Sequence, residues 1–499
     1  MRYKFKMKPY KHQLEALEKS WDLPYFAFFM DMGTGKSKVL IDNMCLLYDR
    51  GLIDSALIIA PKGVYRNWER KEIPEHLPDH VKADIVTWSP STTKKKQKEL
   101  QTLKEPSDNL KIFLMNVEAL STKKGKTAAE NFLVIKNSLL TVDESTTIKS
   151  QKASRTKNLI KLSKLAPYRR ILTGSPVTKS PLDLFSQCEF LNAESLGHSS
   201  FWTFQNRYAK MVRRNMGGHS FNMITGYQNL DELNQLILPF SFRVRKEDCL
   251  DLPDKVYIKR TVELTTEQGT LYQQIKKKAL AVIENDPTLQ DDLFETTLQQ
   301  VTPSKKHFIT AQTVLTQLLR LQQVCSGCVR TEDGVDIKIP TNKLPELMNV
   351  LQETDGKVII WANFTADLKL IQENIAKTYG ENTVELFYGA TEGEERQNIV
   401  ERFQDPNSPL RFFVGQPRTG GYGLTLTQAK TVIYYSNGYD LEIRLQSEDR
   451  AHRIGQTNKV TYIDIVTENT IDEKILKALR NKINISTQVM AEGYKSWII

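Results

Sequence analysis

Through the first 240 residues, short apolar runs alternate with longer stretches of mixed polarity. The runs are Tyr25–Met30, Ala56–Ala60, Asp84–Trp88, Ile112–Asn116, Ser138–Val142 and Arg170–Leu172. Each is closed by a polar, Gly or Pro break and followed by a longer segment, the rhythm of βα units around a mostly parallel sheet. The same rhythm returns at Val358–Trp361, Thr383–Tyr388, Arg411–Gly415, Thr431–Ser436 and Val460–Val466. Between them the texture changes. Gln268–Glu284 and Phe308–Val324 carry apolar residues at helical spacing, whereas Asp286–Leu293 and Thr331–Pro340 read as exposed loops. The pattern predicts an α/β chain with lobes at 1–240 and 346–499 and a helical insertion or linker at 241–345.

At 499 residues the chain suits two or three domains, and a 40% hydrophobic share allows sizeable cores. The net charge of +10 favours a polyanionic partner, although a basic soluble enzyme has the same balance. Cys45, Cys188, Cys249, Cys325 and Cys328 are odd in number and scattered, unlike a disulfide framework. Cys325 and Cys328 form a C-x-x-C, but no second pair or nearby His completes a zinc site, so they read as ordinary thiols at a helix end. The basic start Met1–Lys8 lacks a following apolar stretch, and no run approaches the ~20 apolar residues needed to span a bilayer. These features point to a soluble, cytoplasmic protein. The lysine run Thr93–Lys98 reads as a solvated loop.

Two motifs near opposite ends carry the chemistry. Gly33-Thr34-Gly35-Lys36-Ser37 lies between a strand candidate and a helix candidate, as a phosphate-binding loop requires. Its glycines let backbone N–H groups curl round phosphates, Lys36 neutralises their charge, and Ser37 is placed to ligate Mg²⁺. Met30 stands where the full pattern wants a glycine. Asp143-Glu144 ends an apolar run, where adjacent acids are costly unless a cation compensates them. The matching roles are Asp143 holding Mg²⁺ and Glu144 polarising a water; the bland alternative is an acidic helix N-terminus. Near the other end, Arg450 and Arg453 lie one helical turn apart, with Gln446 four residues earlier on the same face. Their expected role is to reach the γ-phosphate of a nucleotide bound in the other lobe.

Taken in order, the motifs resemble the Swi/Snf-type helicase-like ATPases of superfamily two, from Pro9 to Ile475. Tyr10-Lys-His-Gln13 is similar to the family's adenine-sensing segment, which makes Gln13 the implied base contact. Asp31–Ser37 resembles motif I, Ala60–Trp68 motif Ia, and Asn116–Leu120 the Tyr-Glu segment. Asp143-Glu-Ser-Thr146 is similar to motif II and Leu172-Thr-Gly-Ser-Pro176 to motif III. Phe242–Asp248 and Leu252–Lys255 resemble the exit from the first lobe, and Leu319–Cys325 the entry to the second. Val358–Phe364 matches motif IV, Thr419–Leu426 motif V, and Gln446–Gln456 motif VI, followed by Thr470–Ile475. Three departures stand out: Thr146 for the usual His in motif II, Phe29-Met30 ahead of the loop, and Thr425 for an Asn in motif V.

The resemblance implies two RecA-like lobes, each a mostly parallel sheet flanked by helices, in a compact form that suits a bacterial or phage origin. It implies ATP and Mg²⁺ as the cofactor set, with Gln13, Gly33, Thr34, Gly35, Lys36, Ser37 and Gln446 around the nucleotide. It further implies double-stranded DNA as the partner and a monomeric motor with no base-reading module. Residues Lys149 to Arg170 carry eight Lys/Arg and no acid. Lys149, Lys152 and Arg155 are the first candidates for phosphate contacts, and Arg207, Lys210, Arg213 and Arg214 weaker ones. Thr173, Gly174, Gly420, Gly421, Gly423 and Thr425 would couple nucleotide state to grip. Two other readings stay open: a strand-separating or branched-DNA/RNA helicase, and a catalytically silent nucleic-acid-binding module.

Overall fold

The computed structural model describes residues 3–62, 64–90, 93–216, 219–249, 253–284, 305–330, 336–420, 424–453 and 455–489. Strands β1 Tyr25–Met30, β2 Ser55–Ala60, β3 Ala83–Thr87, β4 Leu110–Asn116, β5 Ser138–Asp143 and β6 Tyr168–Thr173 cover all six runs expected in the first lobe. Next come a two-stranded sheet, β7 Ala209–Met216 with β8 His219–Tyr227, and the short β9 Ser241–Val244. The first sheet has the order β3-β4-β2-β5-β6-β1-β9, and its neighbouring strands all pair in parallel. Every strand end that leads into a βα turn therefore emerges at one carboxyl edge, where ligands of open α/β sheets bind.

The second sheet is built from β10 Lys255–Val262, β13 Lys357–Trp361, β14 Val384–Phe387, β15 Phe412–Gly415, β16 Ala429–Tyr434 and β17 Val460–Thr467. A short antiparallel pair, β11 Cys328–Arg330 with β12 Asp336–Lys338, stands apart from it. The main order is β10-β17-β16-β13-β15-β14, again with parallel pairs throughout. Contact density divides the chain into one unit of 1–210, 225–252 and 482–499 and another of 211–224 and 253–481. The stretch 241–345, read from the sequence as helical, also supplies β9 to the first sheet and β10 to the second. Thr93–Lys98, expected as a loop, instead opens the helix Lys94–Thr102, whose Lys, Gln, Glu and Leu are good helix formers.

Parallel sheets are covered on both faces, which is why these strands are near-continuous apolar runs. In β13, Val358 and Ile360 join one buried cluster while Ile359 and Trp361 join another on the opposite face. In the first unit Phe26, Phe28 and Met30 pack in one cluster with Leu40, Ile41 and Met44. Arg170 of β6 is fully buried beneath two helices, α1 Lys11–Ser20 and α2 Lys36–Asp49. Its guanidinium donates to Asn43 Oδ1 (3.1 Å) and to the carbonyls of Ser20 and Leu23 (both 2.8 Å), and burial lowers its pKa to about 9. It ties the end of α1 and the middle of α2 to the sheet. Cys325 and Cys328 are buried thiols, each pushed up to about 12 by burial. Among the described residues no helix is long and apolar enough to cross a membrane.

One buried acid makes the second unit sensitive to pH. Asp367, on the helix Thr365–Tyr379, is fully buried, and burial raises its pKa to about 7 against the opposing charge of Lys343. The folded state thus binds this proton more tightly than the unfolded chain. Its stabilising contribution is complete below about pH 4 and lost as pH rises through about 7. Asp367→Asn is expected to raise the urea midpoint of unfolding at pH 8 and leave it nearly unchanged at pH 4. Equal shifts at both pH values would contradict this assignment.

Candidate active site

The loop between β1 and α2 takes its shape from its glycines. Gly33 has φ 80° and Gly35 φ 89°, a left-handed region that disfavours any side chain. A Cβ built on Gly35 would also lie 2.2 Å from Gln13 Nε2. Thr34 is fully buried: its hydroxyl donates to the Asp31 carbonyl (2.7 Å), and its own carbonyl accepts from His12 Nε2 (2.8 Å) and Gln13 Nε2 (3.1 Å). Gln13 Oε1 accepts from the Tyr10 N–H (3.0 Å). The structure thus places Gln13 over the phosphate loop with both ends of its amide engaged. Lys36 opens α2 and is buried. Ser37 follows it, half-buried.

A second clamp involves β9. Arg243, on β9, donates from Nη1 to Asp31 Oδ1 (3.0 Å), the Phe29 carbonyl (3.2 Å) and the Gly174 carbonyl (3.0 Å). The Lys246 N–H reaches Asp31 Oδ2 (3.2 Å). One guanidinium thereby joins the end of β1, the loop's first acid and motif III. His12 and Arg243 were not singled out from sequence. The signal for Arg243 was its place in Phe242-Arg-Val-Arg245, but nothing in the sequence says which arginine faces inward.

Asp143 ends β5 at the same edge and is buried. Burial raises its pKa, with the Trp68 N–H and the charge of Lys36 pulling the other way and Glu72 adding to the rise. Each carboxylate oxygen accepts one hydrogen bond, Oδ2 from Trp68 Nε1 (2.9 Å) and Oδ1 from the Glu144 N–H (3.0 Å). Glu144 itself sits at φ 50°, ψ 62°, a left-handed conformation that costs a non-glycine residue about 1–3 kcal/mol and recurs at functional sites. A buried carboxylate beside a lysine, with lone pairs left over, fits a hard divalent cation. Thr146 is also buried. A bridge from motif II to motif III is made by its neighbour: Ser145 Oγ donates to Gln187 Oε1 (2.6 Å), and Gln187 Nε2 donates to the Pro176 carbonyl (2.9 Å).

The expected nucleic-acid contacts are less uniform. Lys152 is exposed, whereas Lys149 Nζ rests on the Thr178 hydroxyl (2.6 Å) and Arg155 Nε on the Thr147 carbonyl (2.8 Å). Thr173 is buried, its hydroxyl accepting from the Ser175 N–H (3.1 Å). Arg207 is paired with Glu232, and Lys210 and Arg213 are exposed on β7. Nothing is described for the side chain of Arg214, and Gly421 and Gly423 lie outside the described residues.

In the second unit, Gly420 packs on the Trp361 ring, which a Cβ would approach to 2.4 Å. Thr425 is half-buried. Helix α3, Leu441–Glu448, carries Gln446, which is buried and donates to Glu442 Oε1 (3.2 Å). Arg450 and Arg453 both reach the Leu424 carbonyl of motif V, at 3.2 and 2.9 Å, and Arg450 Nε also donates to the Gln446 carbonyl (2.8 Å). The helix is locked in place by Glu448, which accepts from Arg444 (2.8 Å), Lys255 (3.0 Å) and Tyr257 (2.7 Å). Burial pushes that carboxyl up, but the charges of Lys255 and Arg444 outweigh it and hold the pKa low.

Comparison with known proteins supplies the family. The model for the SNF2-related domain matches residues 26–328, and that for the helicase conserved C-terminal domain matches 341–455. YwqA of Bacillus subtilis (strain 168) is 27% identical over 480 residues, covering 94% of this chain and 46% of its own. The TATA-binding protein-associated factor MOT1 of Saccharomyces cerevisiae is 27% identical over 474 residues, covering 87% of this chain and 24% of its own. The chain therefore spans less than half the length of either relative. The solved Sulfolobus solfataricus SWI2/SNF2 ATPase core in complex with dsDNA aligns over 100% of this chain and 96% of its own, at 24% identity and a TM-score of 0.42.

The Arg243 clamp yields a direct test. Arg243→Met removes three hydrogen bonds that hold the phosphate loop's approach, bonds of the charge-assisted kind. Affinity for a fluorescent ATP analogue is expected to fall roughly tenfold, about 1.4 kcal/mol, because only part of the roughly 1.5–3 kcal/mol of one charge-assisted bond is passed on to nucleotide binding. An unchanged binding curve would mean that the loop keeps its shape without this arginine.

Proposed function

We propose, for a chain that belongs to the SNF2-related domain family, a motor that hydrolyses ATP and moves along double-stranded DNA without reading its sequence. The observation that carries the reading is the convergence of Lys36 and Asp143-Glu144 at one carboxyl edge of a parallel sheet, close enough for Lys36 to act on the Asp143 charge. Backbone N–H groups of Gly33 to Gly35 and the Lys36 ammonium hold the phosphates, and Gln13 borders the base. Ser37 and Asp143 are the residues that would hold Mg²⁺, which when bound draws charge from the phosphate oxygens. Glu144 orients a water for in-line attack: its oxygen bonds to the γ-phosphorus, the bond to the β–γ bridging oxygen breaks, and the water's proton passes toward Glu144. Arg450 and Arg453, with Gln446 beside them, are the residues proposed to stabilise the charge of the γ-phosphate during transfer. Such arginines contribute ~10³–10⁵ in turnover elsewhere.

For the polymer, Lys152, Lys149 and Arg155 begin the phosphate track, with Thr173, Gly420, Gly421 and Thr425 coupling it to nucleotide state. Contacts of this kind bind DNA of any sequence and weaken steeply with salt. A strand-separating reading gains one observation, the β7–β8 sheet with exposed Lys210, Val212 and Arg213 and no acid from Tyr208 to Leu230.

Steady-state ATP hydrolysis alone and with duplex DNA, single-stranded DNA or RNA tests these readings together. Duplex-selective stimulation, lost in Lys36→Ala, is the expected result. Stimulation mainly by single strands or RNA would favour the helicase reading. Nucleotide binding without turnover on any polymer would leave only a binding module.

A further inference from the structure

We infer that Trp68 is a positioning residue for Asp143, acting through its indole N–H on the carboxylate that would hold Mg²⁺. The inference rests on the reading above and assigns a role to a residue that touches neither nucleotide nor polymer in that reading. Trp68 is 1% exposed and opens a π-helical turn, Trp68–Glu72, set between the short helices Tyr65–Asn67 and Ile73–His76. A π turn inserts one extra residue into a helix and re-aims the side chains around it, and such turns recur at functional sites. Here the re-aimed side chain crosses to the end of β5, where its Nε1 donates to Asp143 Oδ2 at 2.9 Å.

The choice of residue type follows from the charges present. Asp143 is buried, and the Glu72 charge on the same π turn opposes its ionised form. Glu72 is itself held, accepting from Asn67 Nδ2 at 3.0 Å. A carboxylate so placed turns away unless donors are aimed at it. A lysine or arginine at position 68 would supply a donor, but its charge would repel the divalent cation and satisfy the carboxylate in its place. Indole supplies one N–H, no charge and no acceptor, and its bulk keeps water from competing. With the Glu144 N–H on Oδ1 at 3.0 Å, each oxygen has one fixed donor and keeps a lone pair for the cation. Outer partners of metal-binding carboxylates typically contribute 10–100-fold to metal affinity.

The test measures metal dependence of nucleotide binding in the absence of turnover. A fluorescent, non-hydrolysable ATP analogue is titrated into the full chain in EDTA and then at increasing Mg²⁺. Two variants are compared with wild type: Trp68→Phe, and Trp68 replaced by benzothienylalanine, which keeps the bicyclic shape but lacks the N–H. Expected is a rise of roughly 10–100-fold in the Mg²⁺ midpoint for both variants, with metal-free affinity unchanged. The isostere's thermal midpoint should stay near wild type even if Trp68→Phe loses stability through its smaller ring. A wild-type Mg²⁺ midpoint in the isostere overturns the inference and leaves Trp68 as packing alone. Binding by wild type that does not respond to Mg²⁺ overturns the metal-site reading itself, and the inference with it.

Discussion

The first unit is organised around one buried carboxylate, whose charged form burial disfavours. Asp143 stands at the end of a central parallel strand, removed from water, with another acid close by. Burying an unpaired charge costs more than most single contacts return, so the surrounding structure has to supply compensation. It comes from three directions: the Lys36 charge from the helix after the phosphate loop, the indole N–H of Trp68, and the Glu144 backbone N–H. The donor of the last, Glu144, itself holds a left-handed backbone. A divalent cation would complete the set.

The same logic of shared anchors governs the phosphate loop. Its Thr34 carbonyl is held by His12 and Gln13, and its Asp31 carboxylate by Arg243 and the Lys246 N–H. Arg243 also holds the Gly174 carbonyl, while Ser145 and Gln187 link motif II to motif III. The phosphate-loop residues and the motif III segment are thus mechanically joined through a few short bonds. In the second unit the corresponding hub is the Leu424 carbonyl, where Arg450 and Arg453 converge on motif V. Trp361 under Gly420 explains why that position is glycine without any appeal to a ligand.

Much of this was legible in the chain because parallel strands buried on both faces leave uninterrupted apolar runs. All eleven strand candidates coincide with strands, displaced by a residue or two at their ends. The strands that escaped notice are those where burial does not dictate composition. In β9, Arg243 interrupts an already short run, and its inward direction depends on Asp31, more than 200 residues away in sequence. In β10, an edge strand, Val256, Tyr257 and Ile258 are each more than a third exposed, so no clean period marks it. The β7–β8 sheet had a signal in Met216-Gly-Gly-His219, but its polar flanks resemble a loop. The site divides in the same way. Glycines and acids that need a particular backbone or a cation were readable, whereas Trp68, His12 and Gln187 act only through partners that the fold brings close.

The central claim is directed motion on an intact duplex, and a triplex-displacement assay measures it most directly. A labelled third strand is bound at one end of a long duplex, and its release is followed with ATP for wild type and Glu144→Gln. The account predicts ATP-dependent release by wild type alone, slower with increasing distance from the loading end, while the duplex strands stay paired. Robust hydrolysis without release of the third strand, or release only together with strand separation, would contradict it.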